Sequence, residues 1–314
     1  MKIFFSHQSA LFYWLSPHGR RTVTNGFMDS LPAPSLAQEH FHVDWLNNYG
    51  IPTDDIHVTI ANPELRTHTA GVSFHVAPGP VPARFYERIA GEWWVSSPEL
   101  TFWQMAVSQT IPESVKLGYE LCAAYRKNEF SPGGLEHSEP LTTAAALRKF
   151  GAAYGSRRGA KNARAALQYV ADNAASPMEV AVSMLLTVPR MYGGYGLPPC
   201  KLNPPTLAKS VLTRQAMELH GDLVWEDRRV IVEYESNEFH LDAEKFAQDA
   251  ERRNALQASG WTVMTLTWGQ VRDERRCDEA AAQLARLLGV RQTYTPRGML
   301  VKRAVLRNLV LPEE

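Results

Sequence analysis

Only three cysteines, Cys122, Cys200 and Cys277, occur in the 314 residues. They are odd in number and far apart, which excludes a disulfide framework and a Cys-x-x-Cys zinc site. Long hydrophobic runs are missing too: no apolar stretch approaches the roughly eighteen residues that a membrane span requires. At the amino terminus, Met1-Lys2-Ile3-Phe4-Phe5 carries one basic residue and is cut short by Ser6-His7-Gln8-Ser9, so signal-peptide features are lacking. A cytoplasmic protein without a membrane partner is expected. Neither sign of charge is in excess. The chain has 33 basic and 33 acidic residues, and residues 176–314 hold 18 of each. A globally basic, non-specific duplex binder is thereby disfavoured, although net charge leaves local patches open.

What is present belongs to an ordinary globular chain, 45% hydrophobic and 21% charged, and its length predicts two domains. Residues 1–95 read as mixed and irregular, with short strands at Ile56–Ile60 and Val72–Val76. Helical segments follow at about Glu99–Gln109, Pro112–Arg126, Thr142–Tyr154 and Asn162–Asp172, with a loop over Asn128–Pro140. Ser97 and Ser176 each precede a proline in the first-turn position and read as N-caps. The boundary falls at Ala174–Ser176. An α/β organisation is expected: an α+β domain over 1–175, a second domain over 176–290, and a tail over 291–314.

The informative segment is Gly221-Asp222-Leu223-Val224-Trp225-Glu226-Asp227-Arg228-Arg229-Val230-Ile231-Val232-Glu233-Tyr234-Glu235. It reads as strand, polar turn, strand. A turn centred between Asp227 and Arg228 sets Trp225 opposite Val230, Leu223 opposite Val232 and Asp222 opposite Glu233. Period-two alternation puts Leu223, Trp225, Val230, Val232 and Tyr234 on one face. Asp222, Val224, Ile231, Glu233 and Glu235 share the other. Like charges opposed across a ribbon repel, and a hard divalent cation removes the conflict. Asp222, Glu233 and Glu235 are therefore the expected metal ligands, for Mg²⁺ or Mn²⁺; the alternative is a solvated acidic face.

Asp222 followed after ten residues by Glu233-Tyr234-Glu235 resembles the PD-(D/E)xK restriction-endonuclease superfamily, in particular its very-short-patch-repair-like domain of unknown function. Ser176-Pro177-Met178-Glu179, Phe239-His240, the run Asp249–Leu256 and Gly260–Thr267 extend the resemblance over about Ser176–Val290. It implies a mixed sheet flanked by helices, metal-dependent phosphodiester hydrolysis, and nucleic acid, usually DNA, as substrate. Glu179 joins the site on that ground, and as a capping-box residue on the other. The superfamily often has Lys where Glu235 stands, and a carboxylate cannot stabilise an attacked phosphate. Arg253, Arg252 or Lys245 is the expected substitute. His240 and Asp249 are accessory candidates, Asp249 with Arg253 as its i,i+4 partner.

In the first half, His57-Val58-Thr59, Ser97–Phe102 and Glu120-Leu121-Cys122 resemble the effector-side region of type IV toxin–antitoxin abortive-infection antitoxins. That resemblance implies a cognate toxin or other protein as partner, and a non-catalytic regulator as the alternative function. Arg157, Arg158, Lys161 and Arg164 read as a solvated helix start, with phosphate contact as the rival. His57, His68 and His75 sit on separate segments without ligand spacing, so no metal is assigned to them.

Overall fold

Ile56–Ile60 and Val72–Val76 do form strands, but they belong to a larger sheet than their alternation announces. In the computed structural model, which describes residues 2–16, 43–77, 85–155, 157–209, 216–235, 243–291 and 297–312, the chain divides into two units. One holds Met1–Leu121 and Tyr125–Gln168, the other Cys122–Ala124 and Tyr169–Glu314. The fold is α/β, with mixed sheets and helices in both.

The first unit is organised on β1 (Ile3–Phe5), with β2 (Ile56–Ile60), β3 (Val72–Val76), β4 (Tyr86–Ala90) and β5 (Trp93–Ser96) in the order β3-β2-β1-β5-β4. The central strand is apolar on both faces because both are covered. Ile3 and Phe5 pack with Ala10, Tyr13 and Trp14 of helix α1 (His7–Leu15) and Leu46 of α2 (Val43–Asn48). Phe4 points the other way, against Tyr86 with ring centroids 5.1 Å apart. Residues 1–95, expected to be irregular, thus contain a five-stranded sheet. Strands as short as β1 carry no readable alternation.

Helix α3 (Pro98–Met105) begins as its sequence predicts, with Ser97 Oγ accepting from the Leu100 N–H at 3.3 Å. Helix α4 (Ile111–Leu121) stops before the expected Arg126. The segment expected as a loop instead contributes a small hairpin, β6 (Tyr125–Lys127) with β7 (Leu135–His137). Helix α5 (Ala144–Tyr154) is capped by Thr143, and α6 (Ala160–Ala166) is shorter than expected. Trp103 of α3 is fully buried, and a Cβ added at Gly151 of α5 would lie 2.0 Å from its Cζ2. Gly151→Ala is therefore expected to force the indole aside and cost about 2 kcal/mol, within the range for overpacked cores. Urea unfolding followed by tryptophan fluorescence reads the change, and an unaltered midpoint would show that the ring has room to move.

In the second unit, α7 (Pro177–Thr187) precedes β8 (Lys201–Leu202) and an antiparallel ribbon of β9 (Pro205–Lys209) and β10 (Ala216–His220). A four-stranded sheet has the order β13-β12-β11-β8, using β11 (Leu223–Trp225), β12 (Val230–Glu235) and β13 (Thr262–Thr267). β11 and β12 form the expected hairpin in the expected register, Leu223↔Val232, Val224↔Ile231 and Trp225↔Val230. Its turn is a short 3₁₀ segment, Glu226–Arg228, closed by Arg229 at φ +51°. β12 then runs parallel to β13, and α8 (Ala243–Ala258) connects them.

That crossover changes one expectation. Val224 and Ile231, on the acidic face, form a buried cluster with Leu256 of α8. The face carrying the carboxylates is covered by a helix, as sheets with parallel pairs generally are. Helices α9 (Trp268–Arg272) and α10 (Glu274–Leu287) follow. The segment read as a tail contains α11 (Arg297–Val310). Its buried Arg307 donates to the carbonyls of Val271 and Arg272 at 2.8 and 2.6 Å, and Arg303 pairs with Asp278 at 2.5 Å while lying over the Tyr195 ring. No helix among the described residues is long and apolar enough to cross a membrane.

Candidate active site

Three elements of the second unit bring charged side chains to one end of the four-stranded sheet. The start of α7 supplies Glu179, the β11–β12 hairpin supplies Asp222, Glu233 and Glu235, and α8 supplies Arg252 and Arg253. Each is placed by a local rule. Pro177 cannot donate a backbone hydrogen bond and suits the first helical turn, so Ser176 becomes the cap and accepts from the Glu179 N–H at 3.1 Å. Glu179 is turned back over the helix start. Its carboxylate accepts from the Ala175 N–H at 2.8 Å and the Ser176 hydroxyl at 3.0 Å. It is both a capping residue and a neighbour of Asp222.

Asp222 stands just ahead of β11 and accepts from the Tyr234 N–H at 2.7 Å. Burial pushes its carboxyl up to about 6, opposed by that hydrogen bond; the Glu179 charge raises it further and Arg252 pulls it back. Burial also raises Glu179, against its bonds from Ala175, Asn203 and Ser176. The two acids thus share a poorly solvated region, and among the described residues no cation lies at ion-pair distance from Asp222. Gly221 before it is a close approach: a Cβ there would meet Ile231 Cγ2 at 2.5 Å.

Glu233 and Glu235 are answered by guanidinium groups. Arg252 donates to Glu233 Oε1 at 2.8 Å and to the His220 carbonyl at 2.9 Å; Arg253 donates to Glu235 Oε1 at 3.1 Å. The two pairs differ in burial. Side-chain exposure is 35% for Arg252 and 8% for Glu233, against 38% and 39% for Arg253 and Glu235. The register of β12 with β13 sets Glu233 beside Thr265 and Glu235 beside Thr267.

The structure therefore brings Glu179, Asp222, Glu233, Glu235, Arg252 and Arg253 into one neighbourhood. His240 and the side chains of Lys245 and Asp249 lie outside the described residues. Among the described residues, no three His, Cys, Asp or Glu side chains are gathered so as to hold a metal ion. One contributor was missed. Asn203, at φ +46°, donates from Nδ2 to Glu179 Oε2 at 2.5 Å and to the Asn173 carbonyl at 3.0 Å, while its N–H reaches the Asp222 carbonyl at 3.1 Å. It ties the α7 acid to the hairpin acid. Its sequence signal was the Asn203-Pro204 pair, which favours turn initiation, with asparagine a residue that tolerates the left-handed region.

Comparison with known proteins adds little chemistry. No family model matches the chain, and no solved structure matches it. Two curated relatives are 30% identical over 140 residues: an uncharacterized protein of Mycobacterium tuberculosis strain CDC 1551 / Oshkosh and another of strain ATCC 25618 / H37Rv. The alignment spans 42% of this chain and 44% of each relative.

Proposed function

We propose that the second unit hydrolyses phosphodiester bonds of nucleic acid, with DNA as the favoured substrate and a divalent cation as cofactor. The observation that carries this reading is the meeting of four carboxylates and two guanidinium groups from three elements at one sheet end. The donor set suits Mg²⁺ or Mn²⁺ in kind: all oxygen, with no cation at ion-pair distance from Asp222 among the described residues and Glu179 adding to the negative field around it. Mg²⁺ takes only one or two carboxylates, completing its shell with water and phosphate oxygens, so a gathered triad is not required. Asp222 would hold the ion with Glu233 alongside, Glu235 and Glu179 shaping the field. A bound ion would supply an activated water and neutralise developing phosphate charge. Arg252 and Arg253 answer the missing lysine: each presents N–H donors that can move from a carboxylate to a phosphate oxygen.

A second reading, a non-catalytic antitoxin-type regulator that keeps the nuclease fold as a binding scaffold, is favoured by the same ion pairs. Glu233 and Glu235 already have cationic partners, and a fold can outlive its chemistry. Plasmid and single-strand cleavage with Mg²⁺ and Mn²⁺, against a chelator, separates the two. Calorimetric titration with Mn²⁺ is expected to show one site on the intact chain, strongly weakened by Glu233→Gln. Absent binding, or binding indifferent to the substitution, removes the metal role; metal binding without cleavage of any nucleic acid selects the scaffold reading.

A further inference from the structure

The first unit holds a constellation that the nuclease reading leaves unused. Strands β2 and β3 run parallel with His57 beside Ser73 and Thr59 beside His75, so His57 and His75 lie diagonally on one face. The end of β1 lies next to β2, with the Ser6 N–H bonded to the His57 carbonyl at 3.0 Å, and this delivers His7 to the same place. Rings 68 and 18 residues apart in sequence thereby stack: His7 on His75 with centroids 3.6 Å apart, and His75 on His57 at 5.0 Å. His68, the third histidine singled out in the sequence, is replaced in the cluster by His7.

The hydrogen bonds fix which nitrogen does what. Asp55 Oδ2 accepts from His57 Nε2 at 3.0 Å, and Ser73 donates to the other Asp55 oxygen at 3.2 Å. With its proton on Nε2, a neutral His57 can only accept at Nδ1, where His75 Nε2 donates at 2.8 Å. His75 is left with Nδ1 as an acceptor. Burial, helped by the neighbouring rings, lowers His7 to about 3 and His75 to about 4, so both rings are neutral at physiological pH. His7 itself has φ +48°, a conformation bulky residues rarely adopt, and its N–H is held by Gln104 Oε1 at 3.2 Å. Such outliers concentrate at functional sites.

The His7 and His75 rings line a cavity of about 330 Å³, with His57 behind His75. Gln104, Thr59 and Tyr86 also line it, the buried Tyr86 hydroxyl lying close to the Thr59 side chain. Val107 and Tyr154 give it apolar surface, and the exposed Arg66 and Arg158 stand among its lining residues. Among the described residues no carboxylate lines it. Among the described residues neither arginine pairs with an acid. Small-ligand sites generally combine such apolar walls with a few convergent polar groups. Two guanidinium groups match the double charge and several oxygens of a phosphate monoester, whereas a single carboxylate would leave one cation unanswered.

We propose that this cavity binds a phosphate monoester with a flat apolar portion and a hydroxyl or N–H donor, the chemistry of a nucleoside monophosphate. Arg66 and Arg158 take the phosphate, Val107 and Tyr154 flank the apolar portion, and His75 Nδ1 accepts the donor. Asp55 and His57 are positioning residues that hold His75 in that tautomer.

The test is calorimetry on the full chain with adenosine, guanosine, cytidine and uridine 5′-monophosphates, beside adenosine and inorganic phosphate. At least one monophosphate is expected to bind saturably and about tenfold or more tighter than adenosine or phosphate alone. Arg66→Gln with Arg158→Gln, both at exposed positions, is expected to erase the advantage over adenosine. His75→Phe keeps a ring against His7 but removes the acceptor, and should weaken binding by about fivefold or more. No saturable binding by any monophosphate overturns the proposal, as does binding unchanged in the double arginine variant. Loss in Arg252→Gln with retention in that double variant would move the site to the other unit and overturn it equally.

Discussion

Asp222→Asn is expected to abolish metal-dependent cleavage while making the metal-free protein more stable at neutral pH. The amide can still accept the Tyr234 N–H, so the local geometry survives, but the charge a cation needs is gone. The stability sign follows from the carboxyl's shift from 3.8 to about 6. Between those values the folded chain binds more protons than the unfolded chain, so stability falls as pH rises through the window. Above about pH 6 the full cost of a buried carboxylate is present, on the order of 3 kcal/mol; below about pH 4 it is absent. The substitution removes that cost, so its gain should grow from pH 4 to pH 7. Added Mn²⁺ should raise the melting temperature of the unsubstituted protein and not of the variant, because only a ligand bound to the folded state stabilises it. A variant less stable than its parent at pH 7 without metal, or one that still cleaves, would sink this account.

The cost of burying the Asp222 carboxylate bears on how firmly its neighbours are held. Glu179 has three donors, and Asn203 ties it to the backbone of Asp222. A carboxylate held near another carboxylate by neutral donors does not relax by swinging away. Arg252 and Arg253 arrive from the helix that follows β12, and they balance the two glutamates without neutralising Asp222. Acids with positioned cations beside them are what phosphoryl chemistry uses, and the same pairs make a closed structural network when no phosphate is present.

The hairpin was legible because period-two alternation and a polar turn leave one register that buries Leu223, Trp225, Val230 and Val232 together. The capped starts at Ser97 and Ser176 were legible for an equally local reason, the fixed φ and missing N–H of proline. What the sequence hid was long-range. Nothing local says that α8 covers the acidic face, since Val224 and Ile231 alone look like spacers between acids. Leu256 on the next helix completes their cluster only after the crossover forms. The histidine stack was hidden likewise: β1, β2 and β3 are remote in sequence, and ligand spacing is a rule about neighbours along the chain. Helix α11 was misread as a tail because its buried Arg303 and Arg307 look like solvent-facing charges until their partners are seen.

Arg252→Met and Arg253→Met are expected to differ sharply, although the residues are adjacent. Removing Arg252 takes its guanidinium away from Glu233, whose side chain is 8% exposed, and takes one donor from the His220 carbonyl. Breaking one partner of a largely buried pair costs several kcal/mol; with Arg252 itself 35% exposed, about 3 kcal/mol is expected. Removing Arg253 strands only Glu235, which is 39% exposed and can turn to water, and it also removes a buried Nε that has no hydrogen-bond partner. Its cost should stay below about 1 kcal/mol. Denaturant midpoints for the two variants give the comparison. Adding Glu233→Leu to Arg252→Met should recover most of the loss, because an apolar pair replaces a largely buried charge that has lost its guanidinium. In cleavage assays Arg252→Met should be the more damaging, since it holds the acid next to Asp222. Equal destabilisation by the two substitutions, or no recovery in the double variant, would mean that the Arg252–Glu233 pair is not what organises this end of the sheet.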